Sequence, residues 1–358
     1  MMITDRDALE ALADRLQHAP AIALDTEFMR ERTYRAELCL LQVADAQEAV
    51  CVDPLAIADL AVLRAPLGNP LSEKVMHACR QDIEVLLPAV GLVMPVFDTQ
   101  IAAGLAGMPA QIGYADLVRR VTGHELSKAH TRTDWSRRPL SAEQLDYALD
   151  DVRYLLPLRE HLIAELSRLG RMSWLQQELA ALQDARDYSV DPDQAWLRIR
   201  ALKGLDPDRA RLARSLAAWR ERRADERNRP RGWILDDAVL REIVFRVPRS
   251  MEELAGLPDM QPGFVKHSGG EILELIAGAA MPAVLPRVNP RGAPDPQKTA
   301  LVKKLATLHQ SVASELNLSP EVLATRRDLE QLAEGRQDGA VLCGWRREVI
   351  GERLLAAL

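Results

Sequence analysis

"AIALDTEFMRERTY" occupies residues 21–34. Its first half is short and apolar, with Ile22 and Leu24 among small alanines, and reads as a buried strand. Then come Asp25 and Glu27. On a strand, positions i and i+2 leave the same face, about 6.6 Å apart along the backbone. Two acids on one face repel each other and lose hydration if enclosed. Either this is an edge strand with a solvated polar face, or the acids await a hard divalent cation, which takes oxygen ligands.

The flanking sequence supplies a sheet. Residues 5–18 read as a helix with Leu9, Leu12 and Leu16 on one stripe. Apolar runs at 37–45, 48–54, 74–78 and 96–98 read as further strands. "CRQDIEVLLPAVG" opens a helix with Asp82 in its first turn, and from Thr99 to about Gln183 the pattern is helical. This predicts an α/β domain with a mixed sheet over 1–190. Beyond it strand signals stop. A long amphipathic helix is expected over 206–228, with Asp236 or Asp237 capping the next and Ser250 with Glu253 forming a capping box. Five prolines between Gly278 and Lys298 predict an extended linker at 283–297. Helices resume over 298–358, where Ser319 and Pro320 mark a helix start.

In "DYALDDVRYLLPL" (146–158), Tyr147 and Asp151 stand at i and i+4 on one helical face. Asp150 points about 100° away around the axis. Taken alone, Tyr147 reads better as a core aromatic with its hydroxyl bonded locally. His77 and Gln42 read as core polar residues.

The 358-residue chain is 47% apolar and 4% aromatic, enough for packed cores but not for an aromatic-rich binding sandwich. Four scattered cysteines without a CxxC pair argue against a disulfide framework or structural zinc. The charged, amphipathic N-terminus lacks an apolar signal core, and no stretch is long enough to span a membrane, so a cytoplasmic protein is expected. No oligomerisation seam is evident, so a monomer is expected. Net charge is −6, yet residues 196–249 carry fifteen Lys and Arg against eight Asp and Glu. That net of +7 leaves −13 on the rest of the chain. The basic segment is either a solvated helical face or a phosphate-binding surface.

Taken together, "IALDTEFMRERTY", "HACRQDIEVL", "FDTQIAA", "SKAHTRTDWSRRPLS" and "YALDDVRYLLPL" resemble the DEDD exonuclease superfamily in its Tyr-containing subgroup. "LAAWRERRADERNRPRGWILDDAVLREI" resembles the HRDC domain, with a fainter second copy whose clearest stretch is "CGWRREVIG". The resemblance covers nearly the whole chain. It implies an α/β ribonuclease H-like exonuclease domain followed by two small all-α HRDC-like domains, at 206–282 and 298–358.

It further implies metal-dependent 3′→5′ exoribonuclease activity on RNA, releasing 5′-mononucleotides, with tRNA precursors bearing 3′ extensions as partners. Asp25, Glu27, Asp82 and Asp151 would hold two Mg2+ or Mn2+ ions. Asp25 would bridge them, Glu27 and Asp151 would bind the ion beside the nucleophilic water, and Asp82 would act through water. Tyr147 would orient or deprotonate that water. Lys128, His130, Arg132, Arg137 and Arg138 around Trp135 suit a phosphate backbone and a stacked base, although Trp135 equally reads as a core anchor. Arg220, Arg223 and Arg227 are candidate RNA contacts. A DNA 3′→5′ exonuclease and an RNA-binding protein with an inactive nuclease centre are the competing readings.

Overall fold

The strand that opens with Ala21 runs straight through the core because its first half has nothing polar to expose. In the computed structural model, which describes residues 1–57, 59–127, 133–202, 204–279 and 295–358, it is β2 (Ala21–Met29). The other strands are β1 (Met2–Ile3), β3 (Glu37–Ala44), β4 (Ala49–Val52), β5 (Glu73–Met76) and β6 (Val96–Asp98). The helices of the first half are α1 (Arg6–Leu16), α2 (Arg64–Gly68), α3 (Arg80–Val90), α4 (Thr99–Leu105), α5 (Tyr114–Thr122), α6 (Ala142–Arg153), α7 (Leu155–Arg168) and α8 (Met172–Ala180). Then follow α9 (Pro207–Glu226), α10 (Arg231–Ile234), α11 (Asp237–Arg246), α12 (Met251–Ala255), α13 (Pro262–Gly278), α14 (Pro296–Glu315), α15 (Pro320–Leu323) and α16 (Arg326–Ala333).

The sheet order is β1-β4-β3-β2-β5-β6. It is mixed: β3 and β4 are antiparallel, while β2–β5, β5–β6 and β1–β4 are parallel. β2 therefore lies inside the sheet, and Ile22, Ala23 and Leu24 are fully buried. Burial of such side chains stabilises the fold by roughly 1.5–3 kcal/mol each for the larger ones. The expected strands are all present. The two-residue β1, which escapes periodicity, adds an edge to β4.

The chain forms two compact units. One comprises Met1–Met29, Leu38–Tyr188 and 295–358, the other Arg30–Glu37 and 189–279. The sequence-based division set 298–358 apart from the exonuclease domain. In the structure Leu305, Val312, Leu323, Leu329 and Trp345 share one hydrophobic core with the sheet and its helices. Trp345 stacks on Trp174 of α8, centroids 4.5 Å apart, and its Nε1 donates to Glu178 Oε1 at 2.7 Å. Arg171 donates to the carbonyls of Leu105 and Leu316 at 2.7 and 2.5 Å. The apolar stripes of these helices were legible, but not that, besides packing on one another, they join α8 through Trp345. The run after Ser319 also splits, with a Thr325–Asp328 capping box starting α16 afresh. Most of the expected proline-rich linker, including 283–294, lies outside the described residues.

Trp345→Ala is therefore expected to weaken the exonuclease unit itself. Trp345 is 2% exposed, and such a truncation costs about 3–5 kcal/mol. Denaturant unfolding followed by far-UV signal and residual activity checks this. Loss of a separate tail transition with an unmoved exonuclease transition would show the tail to be independent.

In the second unit α9 is the backbone of a small helical core with α11 and α13. Asp206 caps it, accepting from Arg209 N at 3.0 Å, with Pro207 at the first position. Asp236 caps α11 and Ser250 caps α12. Arg220 is 4% exposed and donates to Asp237 Oδ1 at 2.6 Å and Leu235 O at 2.9 Å. Arg223 pairs with Glu271 and Glu226. Both of these expected RNA contacts are thus engaged by acids of their own unit, Arg220 buried and Arg223 half-buried. Arg227 is exposed.

This unit also holds the segment that leaves β2. Tyr34 donates its hydroxyl to Glu221 Oε1 at 2.5 Å, and Arg231 brackets the same carboxylate at 2.8 and 2.7 Å while lying 4.8 Å over the Tyr34 ring. Asn228 Oδ1 accepts from the backbone N–H groups of Tyr34 and Arg35, both at 3.1 Å. Arg231, another cation of the basic run, is thus engaged internally as well.

Candidate active site

Asp25 and Glu27 sit half-buried on β2, past its fully apolar half. Asp82 is brought to them by the turn between β5 and α3. Ala78 takes a left-handed conformation there, φ +53°, costly for a residue with a Cβ. Asp98, at the end of β6, holds the turn: its carboxylate accepts from Ala78 N at 3.1 Å and Cys79 N at 2.9 Å. The same side chain caps α4, accepting from Gln100 N and Ile101 N at 2.8 and 3.2 Å. Asp82, 8% exposed, accepts a 2.5 Å hydrogen bond from the Thr26 hydroxyl. Neither Asp98 nor Thr26 stood out in the sequence, although Asp98 before "TQIAA" carries a helix N-cap signal.

Tyr147 and Asp151 come from α6. A full capping box starts this helix: Ser141 Oγ accepts from Gln144 N at 3.2 Å and Gln144 Oε1 accepts from Ser141 N at 2.8 Å. Ala148 and Leu149 pack into a small cluster with Cys39, Leu40, Cys51 and Trp135. That contact fixes the rotation of the helix. Asp150 is turned to Arg153, whose Nη1 donates to it at 2.6 Å. Asp151 faces the other acids.

The electrostatics describe one shared field. Burial holds the Asp25 carboxyl well above its usual range, reinforced by Asp82, Asp151 and Glu27. Glu27 is pushed up to about 8 by burial and then by Asp151 and Asp82. Asp151 rises to about 7 through burial, Asp150 and Asp82. Asp82 rises to about 6 by burial, restrained by the Thr26 hydrogen bond. Among the described residues no lysine or arginine is among the main influences on these four groups. Buried anions without a facing cation are costly, and hard oxygen donors of this kind suit a divalent metal. Among the described residues no three His, Cys, Asp or Glu are already drawn into a set that could hold an ion. The fit accordingly lies in the donors' chemistry and shared field, not in a preformed cage. Tyr147, half-buried, is raised to about 12 by burial and by Asp151, Glu27 and Asp25.

The basic loop before α6 differs from expectation. Trp135 is 4% exposed and stacks on Tyr147, centroids 6.3 Å apart and planes 25° apart. It anchors the loop and is unavailable to a base. Arg138 is bound by Asp53 through two 2.7 Å hydrogen bonds and donates to the carbonyls of Cys39 and Trp135. This expected RNA contact is thus held by internal hydrogen bonds. Arg137 pairs with Asp134 at 3.0 Å and stays highly exposed. Lys128, His130 and Arg132 lie outside the described residues. His77 is a packed core residue, its ring nitrogens 2.8 Å from Thr99 Oγ1 and 3.0 Å from Ile112 O. Gln42 is fully buried on β3, and neither end of its amide has a partner among the described residues.

A profile of the 3′-5′ exonuclease family matches residues 1–167, and one of the HRDC domain matches 209–276. The ribonuclease D of Granulibacter bethesdensis is 41% identical over 366 residues, covering 99% of this chain and 91% of that protein. The chain belongs to the ribonuclease D family. The ribonuclease D of Gluconacetobacter diazotrophicus is 40% identical over 99% of this chain and 92% of its own. Among solved structures, Escherichia coli RNase D, described as an exoribonuclease involved in structured RNA processing, aligns with a TM-score of 0.88 and 34% identity. That alignment spans 100% of this chain and 98% of the other. The catalytic core of RRP6 from Trypanosoma brucei aligns at 0.59 with 26% identity over 78% of this chain and 79% of its own. The profile match places a single HRDC domain, within the second compact unit. No helix of the described residues is long and apolar enough to cross a membrane.

Proposed function

We propose that this 3′–5′ exoribonuclease removes nucleotides from RNA 3′ ends as 5′-mononucleotides, with Asp25, Glu27, Asp82 and Asp151 holding two divalent cations and Tyr147 orienting the attacking water. The observation that carries the reading is the group of four carboxylates with raised pKa values and, among the described residues, no basic group among their main influences. Asp25 would be shared between the two ions, Mg2+ or Mn2+. Glu27 and Asp151 would hold the one beside the water, and Asp82 would support the other through water. When bound, such a pair stabilises the attacking and the leaving oxygen of an in-line displacement.

Tyr147, at about 12, keeps its proton at neutral pH. Its hydroxyl would aim the attacking water, and with cations bound nearby, which favour its ionised form, it would also serve to take the water's proton. Trp135, stacked on the ring, holds it in place. Thr26 fixes the direction of the Asp82 carboxylate.

Substrates are proposed to include tRNA precursors with 3′ extensions, supported by the structured-RNA role of the E. coli relative. The HRDC unit, with its basic segment, is proposed to hold such RNA. Residues 298–358 are proposed as a second HRDC-like element serving mainly to cover α8. A cytoplasmic monomer completes the reading.

The test uses end-labelled single-stranded RNA and DNA of one sequence, with Mg2+, Mn2+ or EDTA. RNA shortened stepwise from its 3′ end, only with metal and much faster than DNA, is expected. Uncut RNA in both metals would favour an inactive centre, and equal rates on both strands a general exonuclease.

A further inference from the structure

Within the HRDC unit a cavity of about 590 Å³ opens between the α9 C-terminus, α10 and the start of α13. Its volume falls within the ~300–1,000 Å³ range of small-molecule sites. Trp233, Phe264 and Met260 supply apolar walls. Trp233 is 61% exposed, whereas the other fourteen aromatic residues of the chain are buried or half-buried. A tryptophan left in water at the lip of a cavity, in a chain this poor in aromatics, calls for a ligand with a flat apolar face.

The charges around it narrow the class. The Arg229 guanidinium lies 5.8 Å from the Trp233 ring centroid. Arg227 lines the cavity and is exposed, and its charge also helps hold the Glu271 carboxyl below its usual range. Of the two acids lining it, Asp236 already caps α11. Asp259 remains as an acceptor of the kind that meets an exocyclic amino group. A stacking surface, a cation for phosphate and an acceptor at the edge together describe a nucleotide rather than an apolar peptide.

We propose that this cavity takes one unpaired nucleobase of a bound RNA, stacked on Trp233, with Arg227 on an adjoining phosphate. The proposal rests on the reading of the chain as an RNA-acting enzyme and adds a second place where it holds its substrate. It assigns the basic segment a base-contacting role that counting charges does not contain.

The experiment measures binding of the full chain in EDTA, where RNA is not consumed, to fluorescent single-stranded oligoadenylate and to an abasic strand of the same length. Base–aromatic stacking sets the expected scale: Trp233→Ala weakens oligoadenylate binding about tenfold, and Trp233→Phe restores most of it. The abasic strand binds the wild type as weakly as oligoadenylate binds Trp233→Ala, and is indifferent to that substitution. Arg227→Gln lowers the salt slope by about one. Because Trp233 is exposed, the melting temperature should not move. Unchanged affinity in Trp233→Ala, or equal losses on base-bearing and abasic strands, overturns the proposal. Failure of the wild type to hydrolyse RNA with metal present would sink the catalytic reading instead, and Trp233-dependent binding would survive it.

Discussion

Asp25→Asn is expected to lose about 10³-fold or more in exonuclease rate, the scale seen when a group serving the transition state is removed, while its metal-free form becomes more resistant to heat at pH 8. Asp25 is raised by burial and then by Asp82, Asp151 and Glu27 at once, so an amide there removes a charge that burial and all three other acids oppose. The same substitution relieves repulsion. Glu27 and Asp151 titrate near 8 and 7 in the folded chain, against about 4.3 and 3.9 unfolded. Between roughly pH 4 and 8 the folded state therefore binds more protons than the unfolded one. Stability contributed by these groups is fully present below the unfolded values and is lost as pH rises through the folded ones. In EDTA the wild type should melt lower at pH 8 than at pH 5, and Asp25→Asn should narrow that gap. Mn2+ should raise the wild-type melting temperature at pH 8, since it binds only the folded site, and do so far less in the variant. Near-wild-type turnover, or a variant that melts lower than the wild type at pH 8, would remove Asp25 from the centre of the site.

The five longer strands and the spacing of the acids were legible because each signal is local. An apolar run ending in DxE says strand and shared face in three residues. What sequence neighbourhood could not supply was partnership over distance. Arg138 sits near Tyr147 in the chain, which suggested substrate, but Asp53 lies 85 residues earlier and binds it. Arg220 looks like one cation among many on α9 until Asp237 and the Leu235 carbonyl enclose it. Trp135 could anchor or stack, and the packing of Ala148, Leu149 and Cys51 around it decides for the anchor. The helices after residue 295 show amphipathic stripes that do not name the surface they cover, so their union with α8 through Trp345 was invisible. Thr26 was overlooked for a related reason. Its alternation with Asp25 and Glu27 reads as an unremarkable strand residue, and only the arrival of α3 gives its hydroxyl a carboxylate to hold.

The adjacent aspartates of α6 offer the sharpest test of local register. Asp151→Asn should cost at least about a hundredfold in rate, whereas Asp150→Asn should stay within about threefold of wild type. The reason is helical rotation: neighbours differ by about 100°, and Ala148 and Leu149 pack into the cluster with Trp135, fixing which neighbour points inward. Asp151 is raised to about 7 by burial and by Asp150 and Asp82, so it shares the catalytic field. Asp150 gives its carboxylate to Arg153 at i+3, a partly exposed pair of the kind worth about 0.3–0.5 kcal/mol. Its amide variant should therefore show a small stability change and, by withdrawing one charge from beside Asp151, a slightly lower Asp151 pKa. Single-turnover hydrolysis of a short RNA by both variants, alongside their melting curves, decides the matter. Equal losses, or a greater loss for Asp150→Asn, would mean that α6 is rotated and that Tyr147, one turn above Asp151, does not face the scissile phosphate.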